Sequence, residues 1–403
     1  QELMPSAFGL GKADLLIQGG RPDAIKQGNT LVEDLYEGQT FDYVLSNPPF
    51  GTDWSADEKS VRDQAKVPGS RFSHGLPSTT DGQMLFLAHC ASKLSPASKN
   101  GQGGRAAVVS NASPLFTADK GPSAIRQWLL EEDLIDAIVA LPADMFYGTG
   151  IATYVWFLDT NKPEERRGKV QLIDGSGQWS LLRRPMGEKR REIERQHRET
   201  IVEAYQAFDQ ADPMISRVMT PEDFMFRDVP VFKQARLAAR FRDDAVDTLR
   251  GRKDFTDGHI EVLRQLDGTP WNDLPQNFAT AAKAAGLKSP VGLVDAVMAA
   301  MASADPAAPP AVDRRGKPVI AEGWKLTERI PMTEDVDEHM KGEVLPFAPD
   351  ACWDATKAKH GNEIAFKRFF YVPTQPRPLA EIDADVSRIM GELSAMFAEV
   401  HES

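Results

Sequence analysis

Cysteine is scarce in this chain, and so is positive charge. Cys90 and Cys352 are the two cysteines among 403 residues, too few for a disulfide framework or a four-cysteine zinc site. The seven histidines, His74, His89, His197, His259, His339, His360 and His401, form no HExxH arrangement and have no cysteine pair beside them, which excludes the common zinc motifs. Lys and Arg total 47 against 59 Asp and Glu, a formal net charge of −12. Phosphate repels such a chain unless cations are concentrated locally or a partner supplies them, which argues against a free-standing, non-specific nucleic-acid binder. No apolar run approaches the ~20 residues that cross a bilayer, so no membrane role is expected. Together with the sparse cysteine, this makes the expected location cytoplasmic. A Gly-x-x-x-x-Gly-Lys-Ser/Thr loop is also missing, which excludes ATP-driven translocation by a P-loop.

What is present has a clear order. At roughly 150 residues per domain the length implies two or three domains. Over 1–180, short β-rich apolar runs alternate with amphipathic stretches, the pattern of an α/β fold whose sheet is largely parallel. Strands are predicted at Tyr43–Leu45, Ala106–Ser110, Ile135–Leu141, Thr153–Leu158 and Val170–Ile173, and helices at Gly82–Leu94 and Ser123–Glu131. A charged loop, Asn161–Gly168, joins the last two strands without a helix, so they are expected to close the sheet as an antiparallel hairpin. Residues 181–302 read as a mainly helical region that opens with a long polar helix over Gly187–Phe208. Ala and Pro crowd 303–318, which reads as an exposed linker. The tail, 319–403, ends in a helix at 379–400 where Leu379, Ile382, Val386, Ile389, Leu393, Met396 and Val400 recur at steps of three and four, a heptad seam introduced by Pro373, Pro376 and Pro378.

Asn47-Pro48-Pro49-Phe50 directly follows the apolar run Phe41–Ser46, at the carboxyl end of a strand, where open α/β sheets place ligands. Two successive prolines fix φ and remove N–H donors, leaving the Asn47 side-chain oxygen and the Pro48 carbonyl as convergent acceptors. A planar exocyclic amine suits them. Accepting both its N–H hydrogens favours the pyramidal nitrogen and aims its lone pair at an electrophile, so methyl transfer from a sulfonium becomes an in-line displacement. Phe50 offers a face on which a base stacks, worth about 1–3 kcal/mol, and a base within a duplex reaches such a site only when flipped out. The competing reading is a plain tight turn, since Asn and Pro both favour turns. Against it, average composition gives such a tetrad by chance in only about three chains per thousand of this length.

At these residues the chain resembles a known family. Phe41–Gly51, Asp81–Leu87, Gly104–Ser110, Ile138–Pro142 and Met145–Ile151 are similar to the methylation subunit of type I restriction-modification systems, an N6-adenine DNA methyltransferase; Glu343–Pro346, Glu363–Tyr371 and Pro376–Leu379 resemble its tail. The resemblance covers 1–210 and 320–403; the stretch 211–320 has no close match. It implies a Rossmann-like S-adenosylmethionine-dependent methyltransferase sheet over 1–180, incomplete at its N-terminus, followed by a mainly helical C-terminal region. Asn47, Pro48, Pro49 and Phe50 become the catalytic tetrad. Glu2 falls where this fold presents an acid to the cofactor's ribose, and Asn29, in Gly28-Asn29-Thr30, falls near the cofactor's adenine. Phe146 and Tyr147 fall where a second aromatic stacks on the base, or where an aromatic pair plugs the sheet edge. DNA, a specificity subunit, a restriction subunit and a second methylation subunit are the implied partners. The family's glycine-rich cofactor loop is not found: Gly9-Leu10-Gly11-Lys12 lacks the strand-turn-helix setting and the third glycine. The chain is therefore expected to be a piece of a longer subunit that alone binds cofactor weakly or not at all and is inactive.

Two alternatives stay open. The same tetrad serves a protein glutamine amide or a guanine amine, and the chain could instead act as an assembly module that docks a specificity subunit. One further cluster, Arg183, Arg184, Lys189, Arg190, Arg191, Arg195 and Arg198, is interleaved with Glu188, Glu192, Glu194 and Glu199. Pairs such as Glu194–Arg198 make it read as a solvated helix rather than a phosphate track.

Overall fold

The computed structural model describes residues 1–98, 102–371 and 378–401. Its first half is built on short, mostly apolar strands: β1 (Tyr43–Ser46), β2 (Arg105–Ser110), β3 (Ile135–Ala140), β4 (Tyr154–Asp159) and β5 (Val170–Asp174). A separate two-stranded ribbon follows, β6 (Ser180–Met186) and β7 (Lys189–Glu192), before β8 (Ser216–Met219) returns to the sheet edge. The six-stranded order is β1-β2-β4-β3-β5-β8. β1 and β2 are parallel, as are β3 and β5, whereas β4 runs antiparallel to both its neighbours and β8 antiparallel to β5.

The helices of this half are α1 (Pro5–Ile17), α2 (Glu58–Ala65), α3 (Gln83–Ser92), α4 (Ser113–Phe116), α5 (Lys120–Glu131) and α6 (Arg195–Ala207). All six residues of β3 are buried, the signature of a strand covered on both faces. On one face Met84 and Leu87 of α3 and Ile125 and Leu129 of α5 pack against Ile138 and Trp156. Each such side chain contributes about 1.5–3 kcal/mol by leaving water. On the other face Ile201 and Ala204 of α6 meet Val139 and Ile173. A buried polar cluster seats α6: Arg166 Nε donates to Asp136 at 2.6 Å, Tyr205 Oη to the other Asp136 oxygen at 2.6 Å, and Gln171 Nε2 to the Ala204 carbonyl at 2.8 Å.

Two sequence expectations change here. The strands at 154–159 and 170–174 do not form a hairpin; β3 lies between them. A strand buried on both faces needs a hydrogen-bonded neighbour on each edge, and β4 and β5 supply them, so Asn161–Gly168 is a crossover. The long helix expected over Gly187–Phe208 begins only at Arg195, because Gly187 takes φ +61° and turns the chain into the β6–β7 ribbon.

The second half centres on β9 (Met225–Gln234). Next come β10 (Leu237–Ala239) and a helical group, α7 (Asp243–Arg250), α8 (Asp257–Gln265), α9 (Leu274–Ala284) and α10 (Val291–Met301), closed by β11 (Ala302–Ala304), which pairs with β10. This group has its own core, including Leu249, Leu263, Phe278 and Val297. Beyond it, β12 (Ile320–Pro331) pairs with one edge of β9, while β13 (Ala351–Trp353) and β14 (Lys359–Asn362) pair with the other, all antiparallel. Short helices α11 (Val336–His339) and α12 (Phe366–Phe369) precede α13 (Leu379–His401).

Beyond residue 180 the helices concentrate in 195–207, 243–301 and 379–401, and an antiparallel sheet around β9 that the sequence reading did not include lies among them. Its strands escaped notice because β12 is largely solvent-exposed and its apolar alternation is interrupted by Glu322 and Glu328. Most of 303–318 is exposed, as expected, but it is not a free spacer. Ala308 and Ala311 are buried, small enough to pack closely, and Arg236 Nη1 donates to the Ala308 carbonyl at 2.8 Å. The segment 319–371 is no loose tail: Ile364 and Phe366 join the core of the first half. The seam of α13 is exposed from Leu379 to Met396. Pro373, Pro376 and the Val400 side chain lie outside the described residues. No helix among the described residues is long and apolar enough to cross a membrane.

Candidate functional site

β1 delivers Ser46 to its carboxyl end, and Asn47-Pro48-Pro49 leaves the sheet there, with Pro48 buried and Asn47 and Pro49 exposed. The Asn47 carboxamide makes no hydrogen bond and the Pro48 carbonyl accepts none among the described residues. The Pro49 carbonyl is engaged by Thr52 Oγ1 at 3.4 Å. Gly51, at φ +64°, supplies the left-handed turn after Phe50. The loop is then clamped: fully buried Trp54 donates through its backbone N–H to Thr79 at 2.8 Å and through Nε1 to Ser78 at 2.9 Å, and Gly82 N–H reaches the Thr52 carbonyl at 2.9 Å.

The structure brings Phe146 to Phe50, ring centroids 6.3 Å apart and perpendicular at 88°. Phe146 belongs to the 141–153 loop between β3 and β4. Its neighbour Tyr147 points elsewhere, 62% exposed, with Lys189 Nζ 5.3 Å from its ring. The two aromatics therefore separate, and only Phe146 meets the tetrad. Behind them, Asp81 and Gln83 at the start of α3 lock the loop after β2: Ser113 Oγ donates to Asp81 at 2.6 Å and the Asn111 N–H to Gln83 Oε1 at 3.0 Å.

A cavity of about 780 Å³ runs from Asn47, Pro48 and Pro49 to Glu2, with Thr30, Phe86, His89 and Cys90 among its lining residues. Glu2 is not frayed. Its N–H donates to Lys26, its carbonyl accepts from Gly28, both at 3.0 Å, and the Met4 N–H bonds one of its carboxylate oxygens at 2.8 Å. Asn29 does not line the cavity: its Nδ2 donates to Asp57 at 2.9 Å and its Oδ1 accepts from Leu31 N–H at 3.0 Å, so it pins the loop that carries Thr30.

Sequence reasoning missed Phe86, His89 and Cys90, which one face of α3 turns into the cavity. A helical spacing of three from Phe86 to His89 was the available signal. Burial, with the Arg71 guanidinium beside it at 2.9 Å, lowers the His89 pKa to about 4, keeping the imidazole neutral. Burial also pushes the Cys90 thiol up to about 11, so it sits protonated in the cavity wall. Among the described residues no group of three His, Cys, Asp or Glu side chains could hold a metal ion.

Residues 1–230 match the family described as N-6 DNA Methylase. A type I restriction enzyme methylase subunit, MjaIX of Methanocaldococcus jannaschii, is 27% identical over 213 residues, 53% of this chain and 36% of that protein. The EcoKI methylase subunit of Escherichia coli is 34% identical over 134 residues, 33% of this chain and 22% of its own length. The crystal structure of a type I methyltransferase subunit from Streptococcus thermophilus is 28% identical and superposes with a TM-score of 0.46, covering 55% of this chain and 43% of that one. The matched segments thus span less than half of each of these longer proteins.

Proposed function

The chain belongs to the N-6 DNA methylase family, and from that membership we propose that it works as a methylase subunit of a type I restriction-modification system, methylating the N6 amine of an adenine flipped out of DNA. One observation carries the reading. The two unengaged acceptors, the Asn47 side chain and the Pro48 carbonyl, stand beside the Phe50–Phe146 pair at the end of a cavity that reaches Glu2.

The cavity fits a nucleoside sulfonium. Its volume lies within the ~300–1,000 Å³ typical of cofactor sites, Glu2 retains a carboxylate oxygen that its own backbone does not take, and Phe86 offers an aromatic wall. S-adenosylmethionine, when bound, supplies the electrophilic methyl. Glu2 holds the ribose hydroxyls, and Asn29 acts indirectly by fixing the Thr30 loop.

The chain's own groups do the rest. Asn47 and Pro48 accept the two amine hydrogens and orient the nitrogen lone pair; Phe50 and Phe146 hold the ring between a face and an edge. Pro49 fixes the turn that keeps both acceptors on one side. No general base is required, because the amine can lose its proton after transfer.

The exposed seam of α13 favours a second role beside this one, docking the specificity subunit, with a restriction subunit and a second methylation subunit completing the assembly. Removing Leu379–Ser403 is expected to abolish co-purification with the specificity subunit; a complex that survives assigns the seam to packing within the subunit.

Radiolabelled methyl transfer to DNA by the full-length protein in its assembly, compared with Asn47→Ala, tests the catalytic reading. Transfer by the wild type and none by the variant is expected. No transfer by any assembly leaves only the docking role, and transfer to a protein or to guanine redirects the substrate.

A further inference from the structure

The net charge of −12 conceals one region of opposite sign. Residues 180–192 hold Arg183, Arg184, Lys189, Arg190 and Arg191 against Glu188 and Glu192, five cations to two anions. As a helix continuing into 194–199, this stretch would set Glu188, Glu192, Glu194 and Glu199 among its bases. The structure makes it a two-stranded ribbon instead, so its cations gather on 183–191 while Glu194 and Glu199 pass to the entry and body of α6.

The ribbon pairs with no other strand of the described residues, yet it is firmly seated. The Arg190 N–H donates to the Asp144 carbonyl at 2.9 Å and the Glu188 N–H to the Tyr147 carbonyl at 3.0 Å. At Gly187 a Cβ would stand 2.5 Å from the Tyr147 carbonyl oxygen, so only glycine permits the approach. The anchoring loop is the one that carries Phe146 to Phe50. Two cations have local work: Arg191 covers the Trp179 ring at 4.0 Å, and Lys189 lies over Tyr147. The guanidinium groups of Arg183, Arg184 and Arg190 are exposed and form no ion pair or hydrogen bond among the described residues.

We infer that the β6–β7 ribbon is a DNA arm, gripping through Arg183, Arg184 and Arg190 the backbone of the duplex that flanks the base held at Phe50 and Phe146. This rests on DNA being the substrate. A two-stranded ribbon is narrow enough to enter a major groove, and guanidinium forks match phosphate oxygens. The ribbon also explains how so acidic a chain approaches a polyanion: it offers one local concentration of cations, fastened to the loop that carries a stacking aromatic.

The test is the salt dependence of DNA binding by the full-length protein in its assembly, which needs no turnover. Each phosphate contact contributes about 0.9 to the slope of log K against log salt. Replacing Arg183, Arg184 and Arg190 together with Glu is therefore expected to flatten the slope by about 2 to 3 and to raise the KM for DNA at least tenfold. Lys at the same three positions is expected to keep the slope, because the charge remains. An unchanged slope and KM in the Glu variant overturns the inference. So does loss of subunit assembly with the slope preserved, which would make the ribbon a protein-docking element. Absence of methyl transfer by the wild type, with a salt slope that still responds to the Glu variant, would count against adenine methylation while leaving the arm standing.

Discussion

Polar groups are treated in opposite ways in two regions of the molecule. Around β9 the charged side chains close upon one another: Arg329 joins Asp228 at 2.8 Å and Glu363 at 2.5 Å, and His339 is held between Glu334 at 2.7 Å and Glu328 at 3.2 Å. Where β14 meets α5, buried Arg126 donates to Asn362 Oδ1, the Asn362 carbonyl, Pro114 and Thr117, at 2.7 to 3.0 Å. At the carboxyl ends of β1 and β3 the reverse holds. The Asn47 amide, the Pro48 carbonyl and three guanidinium groups of the ribbon have no partner among the described residues. Groups that are fully engaged hold the fold together; groups held in place by others yet left unengaged are available to a substrate.

The contrast predicts opposite phenotypes. Asn47→Ala is expected to lower methyl transfer by at least about 10²–10³-fold, the scale of losing one preorganised polar contact in a transition state, while leaving the melting temperature within a degree or so; a melting temperature that falls with activity would break the comparison. Arg126→Met is the converse. It strands buried acceptors at about 1–3 kcal/mol each, so a loss of about 3 kcal/mol is expected in urea unfolding, and a change under about 1 kcal/mol would show the latch to be dispensable.

Phe146→Ala removes one aromatic contact worth about 1–3 kcal/mol per stacked base. The KM for DNA should rise about tenfold and the fluorescence of 2-aminopurine at the target position should fall toward its stacked level; unchanged fluorescence would leave Phe50 as the sole platform. The smallest effect belongs to His339. Burial opposes its charging, but the bonds to Glu334 and Glu328 prevail and raise its pKa above the ordinary 6.5. Its contribution is fully present below pH 6.5 and is lost as pH rises through the higher folded value. His339→Gln should therefore flatten the fall in stability above that pH, and a slope identical to wild type would show the clamp to be inert.

Legibility in the sequence followed locality. The strands at 43–46, 105–110, 135–140, 154–159 and 170–174 and the helices at 83–92 and 120–131 are readable because their apolar periodicity is a property of adjacent residues. The tetrad is readable for the same reason, since Asn47 to Phe50 are consecutive. What depends on distant partners was not. The place of β4 between β2 and β3 is decided by which edges need covering, and β12 shows little apolar patterning because most of it faces solvent. At 180–192, the spacing of charges imitated a helix, and only the positive φ of Gly187 separates the two outcomes. Phe86 and His89 were visible as residues, but the cavity they line exists only once α3 lies against β1.

The order of strands also sets an order of events during synthesis. β2 and β3 are never neighbours, so as the chain leaves the ribosome neither can complete the sheet until Tyr154–Asp159 has emerged and slid between them. β9 waits longer, since the partners for both its edges follow the whole helical group of 243–301. Such separations slow folding and leave strand edges bare meanwhile. The loop at Asn47 is made early, but the core beside the sheet is complete only when Ile364 and Phe366, more than 300 residues later, reach it. A nascent chain stalled before residue 362 would carry the tetrad while Arg126 still lacked Asn362 and the core still lacked Ile364 and Phe366.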